Sequence, residues 1–156
     1  MLEKLVLALL AAALVLGASG CGAKKNDLAP DACLVSNRGY LRALERAPGA
    51  VRLAGTTPIS DCLVSEQDAG QLADIGREMV VAASKLNVEA RRDPAGPAAL
   101  QLGYLIGAVA KGADPIHTDL VRRLNSAAQF TASGGAPPAS FQRAFGRGYA
   151  AGHATG

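Results

Sequence analysis

The chain has 156 residues, 49% hydrophobic and 19% charged, with a formal net charge of +3 and no tryptophan. So much apolar material excludes disorder throughout, and the length suits one domain with a single core rather than a multidomain assembly. Aromatic residues make up only 4%, so the core must come from Ala, Leu, Val and Gly, which pack by close backbone approach rather than by large side chains.

At the start, Lys4 precedes the apolar run Leu5 to Leu16, which leads into Gly17-Ala18-Ser19-Gly20-Cys21. A short charged start, about a dozen apolar residues and a small-residue cut site form the layout of a secretory signal peptide. A membrane-spanning helix needs a longer run, roughly 20 apolar residues. Cysteine placed directly after the small residues resembles the lipobox of bacterial lipoproteins, with Ala18 standing where those proteins usually carry leucine. The resemblance covers residues 1–21 only. It implies that Cys21 takes a diacylglyceryl group, becomes the mature N-terminus and anchors the protein on the extracytoplasmic face of the cell membrane. Ala18-Ser19-Gly20 also fits ordinary secretory cleavage at the same bond, which leaves a secreted protein with a free Cys21. The expected organisation is a signal peptide over 1–20, a polar flexible tether over 21–30 and a single helical domain over 31–156. Fully extended at ~3.3 Å per residue, the tether reaches about 30 Å.

The chain holds 3 cysteines, an odd number that asks for an explanation in an exported protein. With Cys21 consumed by lipid, Cys33 and Cys62 remain as a disulfide pair in an oxidising compartment. They sit in matching contexts, Cys33-Leu34-Val35-Ser36 and Cys62-Leu63-Val64-Ser65. Two buried free thiols are the alternative; a zinc site lacks ligand spacing.

The remainder reads as helices. Residues 32–47 carry Leu34, Leu41 and Leu44 on one side and end at Pro48-Gly49, and 49–61 is irregular. Ser65-Glu66-Gln67-Asp68 has capping-box character and opens a helix over 66–92 whose stripe is Leu72, Ile75, Met79, Ala82, Ala83, Leu86 and Ala90. Asp93-Pro94 then starts the most apolar segment, 95–110, expected to be the most buried helix. Gly103 and Gly107 share one of its faces and admit a close neighbour. Asp114-Pro115 opens a helix through about Phe130, with Leu120, Val121, Leu124, Ala127 and Ala128 inward. After the loop 133–138, residues 139–152 form a last helix in which Phe141, Phe145 and Tyr149 make a core stripe, and Gly148 and Gly152 again permit close packing. The prediction is an all-α bundle of four or five helices.

Chemistry is sparse. There is no phosphate loop and no nucleophile elbow, and nothing calls for a cofactor. His117 lies between Asp114 and Asp119, the one acid–histidine cluster in the chain. It carries the alternative of a small envelope enzyme or metal-binding protein, although a surface histidine in a helix's first turn is the simpler reading. Nucleic-acid binding fits poorly with export and with so few aromatics beside the arginines. No acidic residue follows Asp119, whereas Arg122, Arg123, Arg143 and Arg147 do. Arg143 and Arg147 lie four apart on one helix face, a candidate contact for an anionic membrane or wall polymer. The expected function is a lipid-anchored, non-catalytic envelope module that meets an envelope protein or anionic polymer. A secreted, non-lipidated helical domain is the other alternative.

Overall fold

A computed structural model describes residues 28–131 and 135–156; Cys21 and the expected signal peptide lie outside the described residues. Five α-helices follow one another: α1 (Asn37–Leu44), α2 (Ala69–Arg92), α3 (Pro97–Gly112), α4 (Thr118–Ala127) and α5 (Ala139–Thr155). A 3-10 turn at Asp31–Leu34 precedes α1, and two more, at Ile59–Cys62 and Pro115–His117, lie between helices. The one β-type pairing among the described residues is an isolated bridge between Leu53 and Thr57, so the bundle is all-α, as expected. No helix among the described residues is long and apolar enough to cross a membrane.

Helix starts depart from the sequence reading in instructive ways. Asp68, not Ser65, caps α2: its carboxylate accepts the Gln71 N–H at 2.9 Å. Glu66 holds a φ of 61°, a left-handed conformation that interrupts a right-handed helix, so no capping box can begin at Ser65. The Ser65 hydroxyl donates instead to Asp114 at 2.7 Å. Likewise α3 starts at Pro97 after Gly96, because Asp93 and Pro94 are taken up in the turn from α2, where the Asp93 carboxylate accepts the Ala95 N–H at 3.3 Å. Residues 32–47 are not one helix. Val35 and Ser36 are extended, and the segment before them is drawn inward by Cys33, whose carbonyl accepts the Tyr40 hydroxyl at 2.8 Å.

The core is organised around α3, buried from Leu102 through Val109 without a break. Its most extensive partner is α5, and the two helices run parallel: Gly103 faces Phe145 and Tyr149, and Gly107 faces Tyr149 and His153. The contact is reciprocal. Gly148 and Gly152 of α5 face Leu100, Tyr104 and Ala108 of α3. The same local pattern, Gly-Tyr-x-x-Gly, recurs at 103–107 and 148–152, so the pair packs backbone against backbone with a pseudo-twofold relation. A glycine face of this kind replaces side-chain interdigitation by close helix approach, which is how a chain poor in aromatics still fills its centre. Tyr104 closes the joint. Fully buried, its hydroxyl accepts the Val51 N–H at 3.1 Å and pairs with the Thr155 hydroxyl at 2.9 Å.

The other helices pack on this pair. Met79, Ala82, Ala83 and Leu86 of α2 are buried, and the Asn87 amide donates to the Ala127 and Gln129 carbonyls, both at 2.8 Å, closing the end of α4. The stripe expected on α5 needs correction: Phe141 is buried, Phe145 half-buried and Tyr149 37% exposed. The face of α5 that meets the core is Phe141, Ala144, Gly148 and Gly152, because close approach to α3 admits glycine where a ring would separate the helices.

Helix α1 docks through a polar clasp. Glu78 accepts both the backbone N–H and the side-chain amide of Asn37 at 2.8 Å, and Lys85 donates to the Asn37 carbonyl oxygen at 2.7 Å. The Asn37 side-chain and backbone donors hold the Glu78 carboxyl below its ordinary value. A carboxyl lowered by folding stabilises the native state above its unfolded pKa, about 4.3, and that contribution is lost as pH falls through the folded value. Glu78→Gln should therefore lower Tm at neutral pH and leave Tm less sensitive to pH between about 5 and 3 than in the parent. Parallel Tm–pH curves for the two proteins would remove Glu78 from the acid response.

Candidate functional site

His117 does not stand on the surface. Its ring is fully buried, because a 3-10 turn, rather than the first turn of an α-helix, carries it inward. The Asp114 N–H donates to Nδ1 at 3.0 Å and Nε2 faces the Gln67 side-chain oxygen at 3.4 Å. Asp114 also stands 2.9 Å from Nδ1, and the Ser65 hydroxyl, then the Ile116 N–H and His117, hold its carboxyl below the ordinary value. Asp119 turns away to an exposed pairing with Arg122. The structure thus brings His117 and Asp114 together and leaves Asp119 apart. Among the described residues no group of three or more His, Cys, Asp or Glu side chains is placed to hold a metal ion. Both ring nitrogens of His117 are engaged in fastening the start of α4 to the start of α2, which leaves neither one aimed at a substrate.

Cys33 and Cys62 are joined by a disulfide, with Cα atoms 5.5 Å apart and both residues fully buried. The bridge ties the turn before α1 to the turn before α2. Beside it, Tyr40 is pushed well above its ordinary pKa by burial and by the Glu78 charge, so its hydroxyl stays a donor to Cys33.

Arg143 and Arg147 are exposed on one face of α5, opposite the side that packs on α3. Together they form an exposed basic face. Two clefts of the described residues lie elsewhere. One, about 480 Å³, is walled by the three phenylalanines Phe130, Phe141 and Phe145 at the junction of α4 and α5, with neighbouring ring centroids 4.7 and 5.5 Å apart.

The other, also about 480 Å³, lies between α1 and the loop that follows it, and three of its lining residues are Arg42, Arg46 and Arg52. The sequence reading missed this group. Arg42 and Arg46 are four apart and their common face was readable. Arg52 was not, since it reaches the cleft only because the 49–57 loop folds back over the end of α5. There its Nη1 donates to the Val51 and Thr155 carbonyls, both at 2.9 Å.

No family model matches the chain, and neither a curated protein nor a solved structure does.

Proposed function

We propose that this chain is an exported envelope protein, anchored by lipid on Cys21, whose helical domain is a non-catalytic interaction module on the extracytoplasmic face of the membrane. One observation carries the reading: of the three cysteines, Cys33 and Cys62 are closed in a disulfide, and the one left over stands directly after the apolar run and small residues that read as an export signal. A disulfide points to an oxidising compartment, and in such a compartment a reactive N-terminal thiol is a liability that acylation removes. The exposed pair Arg143 and Arg147 gives the module a basic face toward an anionic polymer or an envelope protein, a contact that orients a tethered domain without anchoring it.

The test is the mass and location of the full chain made in a bacterium. Protein extracted from membranes should exceed the 21–156 polypeptide by an acylated glyceride, and Cys21→Ser should abolish that increment. Recovery of unmodified 21–156 in the soluble fraction, with Cys21 open to alkylation, would favour the secreted alternative and end the anchoring proposal.

A further inference from the structure

We infer that the cleft lined by Arg42, Arg46 and Arg52 is a binding site for a phosphate-bearing anion. Its other seven lining residues are small or apolar and none is acidic. Neither the Arg42 nor the Arg46 guanidinium enters an ion pair among the described residues. Three like charges around one concavity repel one another, and that arrangement is relieved when an anion with more than one negative charge joins them. Guanidinium forks match phosphate oxygens in pairs, which a lysine ammonium does not do. The volume is near the lower end of small-molecule sites, about 300–1,000 Å³, suited to a phosphate or diphosphate group with little attached.

Two features show preparation of the cleft. Arg52 is already fixed, since Nη1 spends its hydrogens on the Val51 and Thr155 carbonyls, while Nε and Nη2 enter no hydrogen bond among the described residues. A fork held in advance loses less conformational freedom when an anion arrives. The wall beside it is a turn in which Ala54 and Gly55 both take positive φ, 48° and 82°. For alanine that conformation is sterically unfavourable, and such strain persists where the surroundings over-determine it, often beside a binding site. The turn leaves only a methyl group and a glycine at the mouth, so the backbone can approach the anion closely.

The same chemistry is offered by a free phosphate compound and by the headgroup of an anionic lipid, and two probes separate them. In calorimetric titrations of the full chain in nonionic detergent, inorganic pyrophosphate and dihexanoyl phosphatidylglycerol should each be tried. Saturable binding of either supports the site; the tighter one names the source. Binding should weaken at least tenfold in the Arg42→Ala/Arg46→Ala double variant and in Ala50→Glu, which sets a carboxylate in the cleft. It should also weaken as salt rises. The Arg123→Glu variant, altered at an exposed position of α4 outside the cleft, should bind as the parent does. Far-UV circular dichroism checks that each variant folds, and because Ala50 is exposed on a loop, Ala50→Glu keeps the test valid should the double variant not fold. No saturable binding of either probe by the parent would overturn the inference. So would binding that Ala50→Glu leaves unchanged, or binding that Arg123→Glu weakens equally. None of these results bears on lipidation of Cys21, so the two proposals fail separately.

Discussion

Alanine at Gly146 and alanine at Gly148 should shift stability in opposite directions, although the two positions are neighbours on α5. At Gly146 an added Cβ meets nothing within 4 Å, so Gly146→Ala gains helix propensity alone, roughly 0.5–1 kcal/mol. Gly148→Ala gains the same propensity and then meets α3. Its Cβ would lie on the Leu100 carbonyl oxygen, 2.8 Å from the carbonyl carbon and 2.9 Å from the Tyr104 nitrogen. Those atoms are backbone within a buried helix and cannot rotate aside; relief requires the two helices to part. Parting them loosens Leu102, Leu105, Phe141 and Ala144, all buried. Overpacking of this kind typically costs ~1–3 kcal/mol, occasionally more, which exceeds the propensity gain. The reciprocal site gives the larger effect. Gly107 faces the Tyr149 carbonyl and, at 2.9 Å, the His153 nitrogen, so Gly107→Leu must fit a whole side chain there and should fall at or beyond the upper end of that range. Urea unfolding followed by circular dichroism reads all three. A Gly148→Ala variant as stable as Gly146→Ala would mean that α3 and α5 do not approach as closely as described.

Much of this joint was legible before any coordinates, and the limits are equally physical. The apolar run over 95–110 and its glycine spacing identified the central helix and its close-packing face, because burial and glycine placement are local properties of the sequence. The partner was not local. That the face of α3 holding Gly103 and Gly107 meets the backbone of α5 in parallel depends on how α4 and the loop after it return the chain. The aromatic stripe on α5 was misjudged for the same reason: periodicity marks which residues share a face, and Phe141, Phe145 and Tyr149 do, but the closest approach selected the glycines beside them. His117 reads as a surface residue if a helix begins at Pro115. A 3-10 turn there rotates it inward, and one turn of geometry separates an exposed ring from a buried fastening. The arginine cleft needs Arg52 carried across the molecule to Thr155, a contact between residues far apart in the sequence that no spacing rule reports.

Removing the Cys33–Cys62 bridge should be the most damaging change outside the helix joint. The bridge closes a loop with a sequence separation of 29, and in the chain-entropy model a loop of that length restricts the unfolded chain by roughly 3–4 kcal/mol. For a domain whose whole stability is of order 5–15 kcal/mol, that is a large share. The native side adds to the loss. Both residues are fully buried, so Cys33→Ala/Cys62→Ala leaves a gap where two sulfur atoms packed, and cavities of that sort are filled only in part by relaxation. The segment tied by the bridge also holds α1 in place, through the Tyr40 hydroxyl on the Cys33 carbonyl, and α1 is too short, at 8 residues, to persist without tertiary support. The expected result is a Tm lower by about 10–20 °C for a domain of this size, with loss of order concentrated in residues 31–62. Hydrogen exchange should show it there first, while amides of α3 and α5 keep protection up to global unfolding. Reducing agent should reproduce the effect in the parent and do nothing further to the double variant. A double variant with the Tm of the parent, or a parent indifferent to reduction, would show that the helices alone hold this end of the bundle. In that case the assignment of an oxidising compartment would lose its main support.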